Sequence, residues 1–281
     1  MKPILGILPL SAARARPWWL WPNVLSLDAP LVALAWQEAW AHCLAVELGW
    51  SQRALLGLAT WLAYCGDRLL DARRLEGAAD SPRHEFARRH APLLFRVWLA
   101  GLAVVVVLGL RLPLREILWG AVMLAVVGGY FLVHHWERTR ALAGLVKELM
   151  AGMVFAVGAV FFVAVQIEFT PALALALAAW GGLCVMNCLA IACWDRARDA
   201  AMGQPSLARR WVGAGGWLWL WAVVVIWLAA AAWVLDARLG PLAAALLVGA
   251  LALGEVARGG ADDRRRVLAD AVLLAPIFFL W

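Results

Sequence analysis

Apolar runs of about twenty residues follow one another along almost the whole chain, and they leave few folds open. A helix rises about 1.5 Å per residue, so about 20 mostly apolar residues cross the hydrocarbon core of a bilayer. Nine such runs occur, at 24–48, 51–71, 92–111, 114–134, 144–168, 172–196, 210–235, 239–257 and 265–281. Hydrophobic residues make up 65% of the 281, well above their share in a soluble domain. The connections are short, and no low-complexity segment or separate soluble module is visible. The expected architecture is therefore all-α: a polytopic membrane protein, a single nine-transmembrane-helix bundle over 1–281.

The net charge of +6 invites a nucleic-acid partner, but the distribution of the cations argues against one. With the N-terminus in the cytoplasm, 21 of the 25 Lys and Arg fall on the inside. Arg53, Arg111, Arg115 and Arg238 alone fall outside. Such a bias is the positive-inside pattern, and it independently supports nine spans with the C-terminus outside, in an inner (plasma) membrane. The stretch Met1–Pro9 makes a poor signal peptide, so the first span is expected to serve as the insertion signal. Nineteen tryptophans are explained by interfacial anchoring and helix packing. The five cysteines fall inside the runs without a CxxC, which reads as small buried residues rather than a metal or disulfide framework.

Two acidic patterns break the apolar rule. Asp67-Arg68-Leu69-Leu70-Asp71 closes the second run and Asp195-Arg196-Ala197-Arg198-Asp199 the sixth. Each sets two carboxylates four residues apart, on one helix face. Even-numbered spans end on the inside, so both pairs arrive at the cytoplasmic face. Carboxylates at a helix C-terminus oppose its dipole, and four of them together call for a cation. Magnesium, which combines a few carboxylates with phosphate oxygens, is the natural one, carrying a diphosphate. Taken singly, either pair is also explained as a solvated helix end with Arg–Asp pairing.

These segments resemble the UbiA superfamily of intramembrane prenyltransferases, which have nine transmembrane helices and two aspartate-rich motifs at the cytoplasmic ends of helices 2 and 6. Asp199, Gly203 and Ser206-Leu207-Ala208 look like the continuation of the family's second motif, and Leu27-Asp28-Ala29-Pro30 resembles a segment that opens the first helix in one branch. The resemblance spans nearly the whole chain in topology, but only these segments in motif. It departs at Ala63 and Tyr64, where an Asn and a further Asp are usual, and at Ile191, where the usual residue is polar. The segment Ser81 to His90 replaces an Arg-Pro-Leu-like stretch.

The resemblance implies a magnesium-dependent enzyme that transfers a prenyl group from a polyprenyl diphosphate to a lipophilic acceptor, aromatic ones included. Asp67, Asp71, Asp195 and Asp199 would hold the metal. Arg68, Arg198 and Lys147 would hold phosphates, with a membrane-surface anchor as the plainer role for Lys147. Asn187, two turns before Asp195, partly replaces the missing polar support, and Tyr64 faces the same cavity as wall or cation stabiliser. Asp28, Gln37, Glu38 and His42 on the first span are candidates to orient an acceptor or act as base, or are ordinary interhelical hydrogen-bond partners. The loop with Arg83, His84, Arg88, Arg89 and His90 is a candidate lid, or a charged loop set by topology. The alternative is a non-catalytic protein of the same fold that binds or carries isoprenoid or lipid phosphates, or a partner subunit. A transporter would place its carboxylates near the midplane of broken helices.

Overall fold

The computed structural model describes residues 17–74, 82–135, 140–201, 206–211, 213–260 and 262–279. Among these the chain is helical, with no strand. In chain order the helices are α1 (Trp21–Val24), α2 (Asp28–Cys43), α3 (Trp50–Arg74), α4 (Pro82–Arg89), α5 (Ala91–Gly109), α6 (Leu114–His135), α7 (Arg140–Ala164), α8 (Pro171–Ala201), α9 (Leu207–Arg210), α10 (Leu218–Leu235), α11 (Gly240–Ala257) and α12 (Asp263–Val272). Prolines sit in the first turns of α1, α5 and α11, where a missing N–H costs nothing.

Among the described residues, six segments are long and apolar enough to cross a membrane: Ala91–Gly109, Leu114–Val133, Lys147–Ala164, Pro171–Ala197, Ala214–Leu235 and Ala237–Ala257. The chain is thus a polytopic helical membrane protein. The other three expected spans take different forms. The first narrows to the 16 residues of α2. The second, α3, has 25 residues but carries Arg53, Asp67, Arg68 and Asp71. The last divides into α12 and a 3₁₀ turn at Ala275–Phe279.

Backbone geometry explains the short α2. Ser26 (φ 59°) and Ala45 (φ 53°) are left-handed residues on either side of it. At each, the next residue's N–H reaches back five positions, Leu27 to Pro22 O at 2.8 Å and Val46 to Ala41 O at 2.9 Å. These are Schellman closures, which normally use glycine. Ala45 is exposed, so Ala45→Gly removes a Cβ penalty and little packing. We expect it to raise stability by about 0.5–1 kcal/mol, read as a higher midpoint of thermal unfolding in lipid nanodiscs.

The centre of the bundle is α8, packed by α7, α10, α11 and α12. Trp36 of α2 and Trp180 of α8 stack with centroids 3.9 Å apart, both with no exposed surface. Tryptophan N–H groups stitch neighbouring elements together through backbone carbonyls. Trp36 donates to Leu273 O (2.7 Å), Trp98 to Leu62 O (2.8 Å), Trp180 to Ala156 O (3.2 Å) and Trp221 to Gly182 O (2.8 Å). Each contact satisfies a polar atom that would otherwise be orphaned in an apolar setting. Helix packing accounts for these indoles, as the sequence led us to expect.

On the outside, α5 and α6 turn Val104, Val107, Leu118, Val122 and Leu124 outward, the surface of a lipid-facing protein. α5 lies on α3 and α6 on α7. Ion pairs and polar contacts gather at the two ends of the bundle. At one end Arg53 pairs with Glu38 (2.6 Å) and Gln52 donates to Glu116 (2.8 Å). At the other lie the two acidic patterns.

Candidate functional site

Asp67 and Asp71 sit one turn apart near the end of α3, and Asp195 and Asp199 one turn apart near the end of α8. α4, formed by the segment weighed as a lid, joins the two pairs. Arg83 Nη2 lies 3.8 Å from Asp195 Oδ2, and the neighbouring His84 Nε2 lies 3.9 Å from Asp71 Oδ2. Consecutive Cα atoms are 3.8 Å apart, so two adjacent side chains reaching one motif each bring both motifs to one mouth.

Asp195 is the most enclosed of the four. Its Oδ1 accepts from Arg266 Nη2 of α12 at 2.6 Å, with both side chains about 10% exposed. Arg266 also reaches Asp263 at 3.0 Å. The Asp199 carboxylate lies beside Ser206. Burial raises the Asp199 carboxyl above the usual range, against the opposing charge of Lys147, while the Asp195 charge adds to the rise. Lys147 of α7 thus stands among the carboxylates. Its neighbour Glu148 is buried and accepts from Leu207 N at 3.3 Å, holding α9 against the site.

The remaining expected residues divide. Arg68 is buried, and its Nη1 donates to the carbonyls of Asn23 and Val24 (3.2 Å to the latter), tying α3 to the end of α1. The side chain of Arg198 and the whole of Gly203 lie outside the described residues. Tyr64 meets Phe155 of α7 edge-on at 6.1 Å and keeps 39% of its surface accessible. Asn187 is buried on the same helix as Asp195. Asp28 opens α2 at this end, its Oδ2 accepting from Asn23 Nδ2 at 2.7 Å. Glu38 and His42 point elsewhere: His42 is 14 residues further along α2, about 21 Å, and Glu38 pairs with Arg53 at the far end. Gln37 is fully buried, with neither amide atom hydrogen-bonded.

Sequence reasoning missed Asn23, Glu148, Arg266 and Asp270. Arg266 was counted only as a topological charge. Asp270 is an isolated acid in an apolar run, 247 positions from the Asn23 whose Nδ2 it meets at 3.3 Å. A lone carboxylate amid apolar residues is itself a signal, and Asp270 carried one.

Among the described residues no three carboxylate, imidazole or thiol groups form a ready-made metal cage. The oxygen-donor set nevertheless suits magnesium, which is usually held by one or two carboxylates with substrate phosphates and water completing its shell. Comparison with protein-family models, curated proteins and solved structures finds no match to this chain.

Proposed function

We propose that this protein is a UbiA-like prenyltransferase: it transfers a prenyl group from a polyprenyl diphosphate to a lipophilic acceptor, with magnesium, at the cytoplasmic face of the plasma membrane. The reading includes nine membrane passages, with α2, α3 and the segment from α12 onward completing the six apolar ones, the N-terminus inside and the C-terminus outside. The observation that carries it is the convergence of Asp71 and Asp195 on Arg83 and His84. Four carboxylates and several cations then border one opening, where a metal–diphosphate pair finds both ligands and counter-charges.

Asp67, Asp71, Asp195 and Asp199 would hold magnesium, which neutralises the diphosphate and makes it a better leaving group. Arg83 and Lys147 bind the phosphate oxygens, and Arg198 is assigned the same task from its place in the motif. The accessible face of the Tyr64 ring would meet the allylic carbon, and the apolar surfaces beside it would hold the tail.

One observation favours a second reading, a non-catalytic binder of isoprenoid or lipid phosphates. Asp195 already has a strong partner in Arg266. Pyrophosphate release separates the two readings. Purified protein in nanodiscs is given geranyl, farnesyl or geranylgeranyl diphosphate, with and without magnesium, across an acceptor panel. Release that needs both magnesium and an acceptor is expected, reduced at least tenfold in Asp67→Asn and Asp199→Asn, or about 1.4 kcal/mol of barrier. Tight binding without release from any acceptor establishes the binder, and unchanged turnover in both variants removes the site.

A further inference from the structure

A second group of polar side chains lies beside the aspartate mouth, and its two carboxylates have no part in the proposed prenyl-diphosphate binding. Asn23 Nδ2 donates to Asp28 Oδ2 at 2.7 Å and to Asp270 Oδ2 at 3.3 Å, so one amide nitrogen holds carboxylates from α2 and α12 face to face. Both aspartates keep part of their surface accessible, whereas Asn23, Arg68 and Asn187 behind them are buried. The Arg68 guanidinium stands near both carboxylates but donates to the carbonyls of Asn23 and Val24. Tyr64 lies within electrostatic reach of both aspartates, and Arg83 of Asp270.

An acidic pair alone can be a structural knot. A second observation points to a ligand. Asn187, 6% exposed, turns its amide toward Asp270, yet its Nδ2 completes no full hydrogen bond with that carboxylate or with any other group. An orphaned donor in a buried setting costs about 1–3 kcal/mol, so it is uncommon unless something else completes it. Two open carboxylates supply acceptors, and Asn187 and Tyr64 can supply donors. Such a set receives a head that donates hydrogen bonds, and it repels a further carboxylate.

We propose that Asp28 and Asp270 bind the acceptor head of the prenyl-transfer reaction, that this head is a hydroxyl or amine rather than a carboxylate, and that the pair takes up the proton it sheds. The proposal rests on the prenyltransferase reading for its reaction. There the allylic C–O bond breaks and its electron pair leaves with the diphosphate. The acceptor's nucleophilic atom forms the new bond to carbon, and its proton passes to one of the two carboxylates.

The test measures head binding with no diphosphate present. Wild-type protein in nanodiscs is titrated calorimetrically with a short-chain alkyl hydroquinone, the matching aromatic amine and the matching benzoic acid. The hydroquinone or the amine is expected to bind at least tenfold more tightly than the acid. Asp28→Asn and Asp270→Asn each weaken that binding at least tenfold, while geranylgeranyl diphosphate binding stays within twofold. Asn187→Leu, which leaves the acidic pair in place, weakens head binding by a smaller factor. Elution as a single folded species checks each variant. The proposal is overturned if neither head binds, if the acid binds best, or if both Asp variants keep wild-type affinity. Failure of the wild type to bind any prenyl diphosphate instead removes the prenyl-transfer reading, and leaves the head titration to be judged by itself.

Discussion

Replacing Arg266 by methionine is expected to lower stability by about 3 kcal/mol, because it leaves the buried Asp195 carboxylate without its main partner. Breaking a buried pair from one side typically costs 3–5 kcal/mol, since the remaining charge stays desolvated. Arg83, at 3.8 Å, remains to offset part of that loss, which places the expectation at the low end. The bond to Asp263 contributes little, because that carboxylate is 41% exposed. The informative partner experiment is the double variant Arg266→Met/Asp195→Leu. Removing both charges restores most of the stability, because an apolar pair of similar volume is often neutral relative to a buried ion pair. The same double variant is expected to stay weak in magnesium-dependent binding of prenyl diphosphate. Thermal unfolding in nanodiscs reads the first effect and a binding titration the second. A double variant as unstable as the single one would show that the pair is not what Arg266 contributes.

Gly152→Ala is expected to cost about 3 kcal/mol for a different reason. A Cβ at that position would lie 2.6 Å from the backbone nitrogen of Val185 and 2.8 Å from its Cα. Backbone cannot rotate aside, so α7 must move away from α8, along one of the two most heavily packed seams of the described residues. Overpacking usually costs 1–3 kcal/mol, and a clash with backbone belongs at the upper end. Small residues that let helix backbones approach are a general device of membrane bundles. Gly128 and Gly129 are the controls: nothing lies within 4 Å of a Cβ built on either. Alanine there is expected to be neutral or stabilising by up to about 1 kcal/mol through helix propensity. Equal losses at positions 128 and 152 would refute the close-approach account.

How much of this was legible in the sequence depends on the range of the interaction. Hydropathy marked α5 to α8, α10 and α11, because a lipid-facing helix announces itself in every residue. It overextended the first span, because Ser26 closes α1 before α2 begins and Ala45 ends α2, both through backbone angles that hydropathy does not record. The acidic pairs were legible because i, i+4 spacing is local. Their meeting place was not: the segment from Pro82 to Arg89 reads as a charged loop, yet as a helix it reaches Asp71 and Asp195 from adjacent residues. The pairings of Arg266 and Asp270 were hidden for a related reason. Each matters through a partner far away in the chain, Asp195 and Asn23, and no local pattern encodes such a pairing.

The bond between Arg266 and Asp195 also bears on the order in which the protein is made. The arginine is synthesised 71 residues after the aspartate, so at roughly 5–20 residues per second the carboxylate waits on the order of 4–14 s for it. During that interval Arg83 and Lys147, already made, are cations at hand for this end of α8. Newly made chains that stop short of α12 therefore lack the 2.6 Å partner of a carboxylate that the finished protein buries.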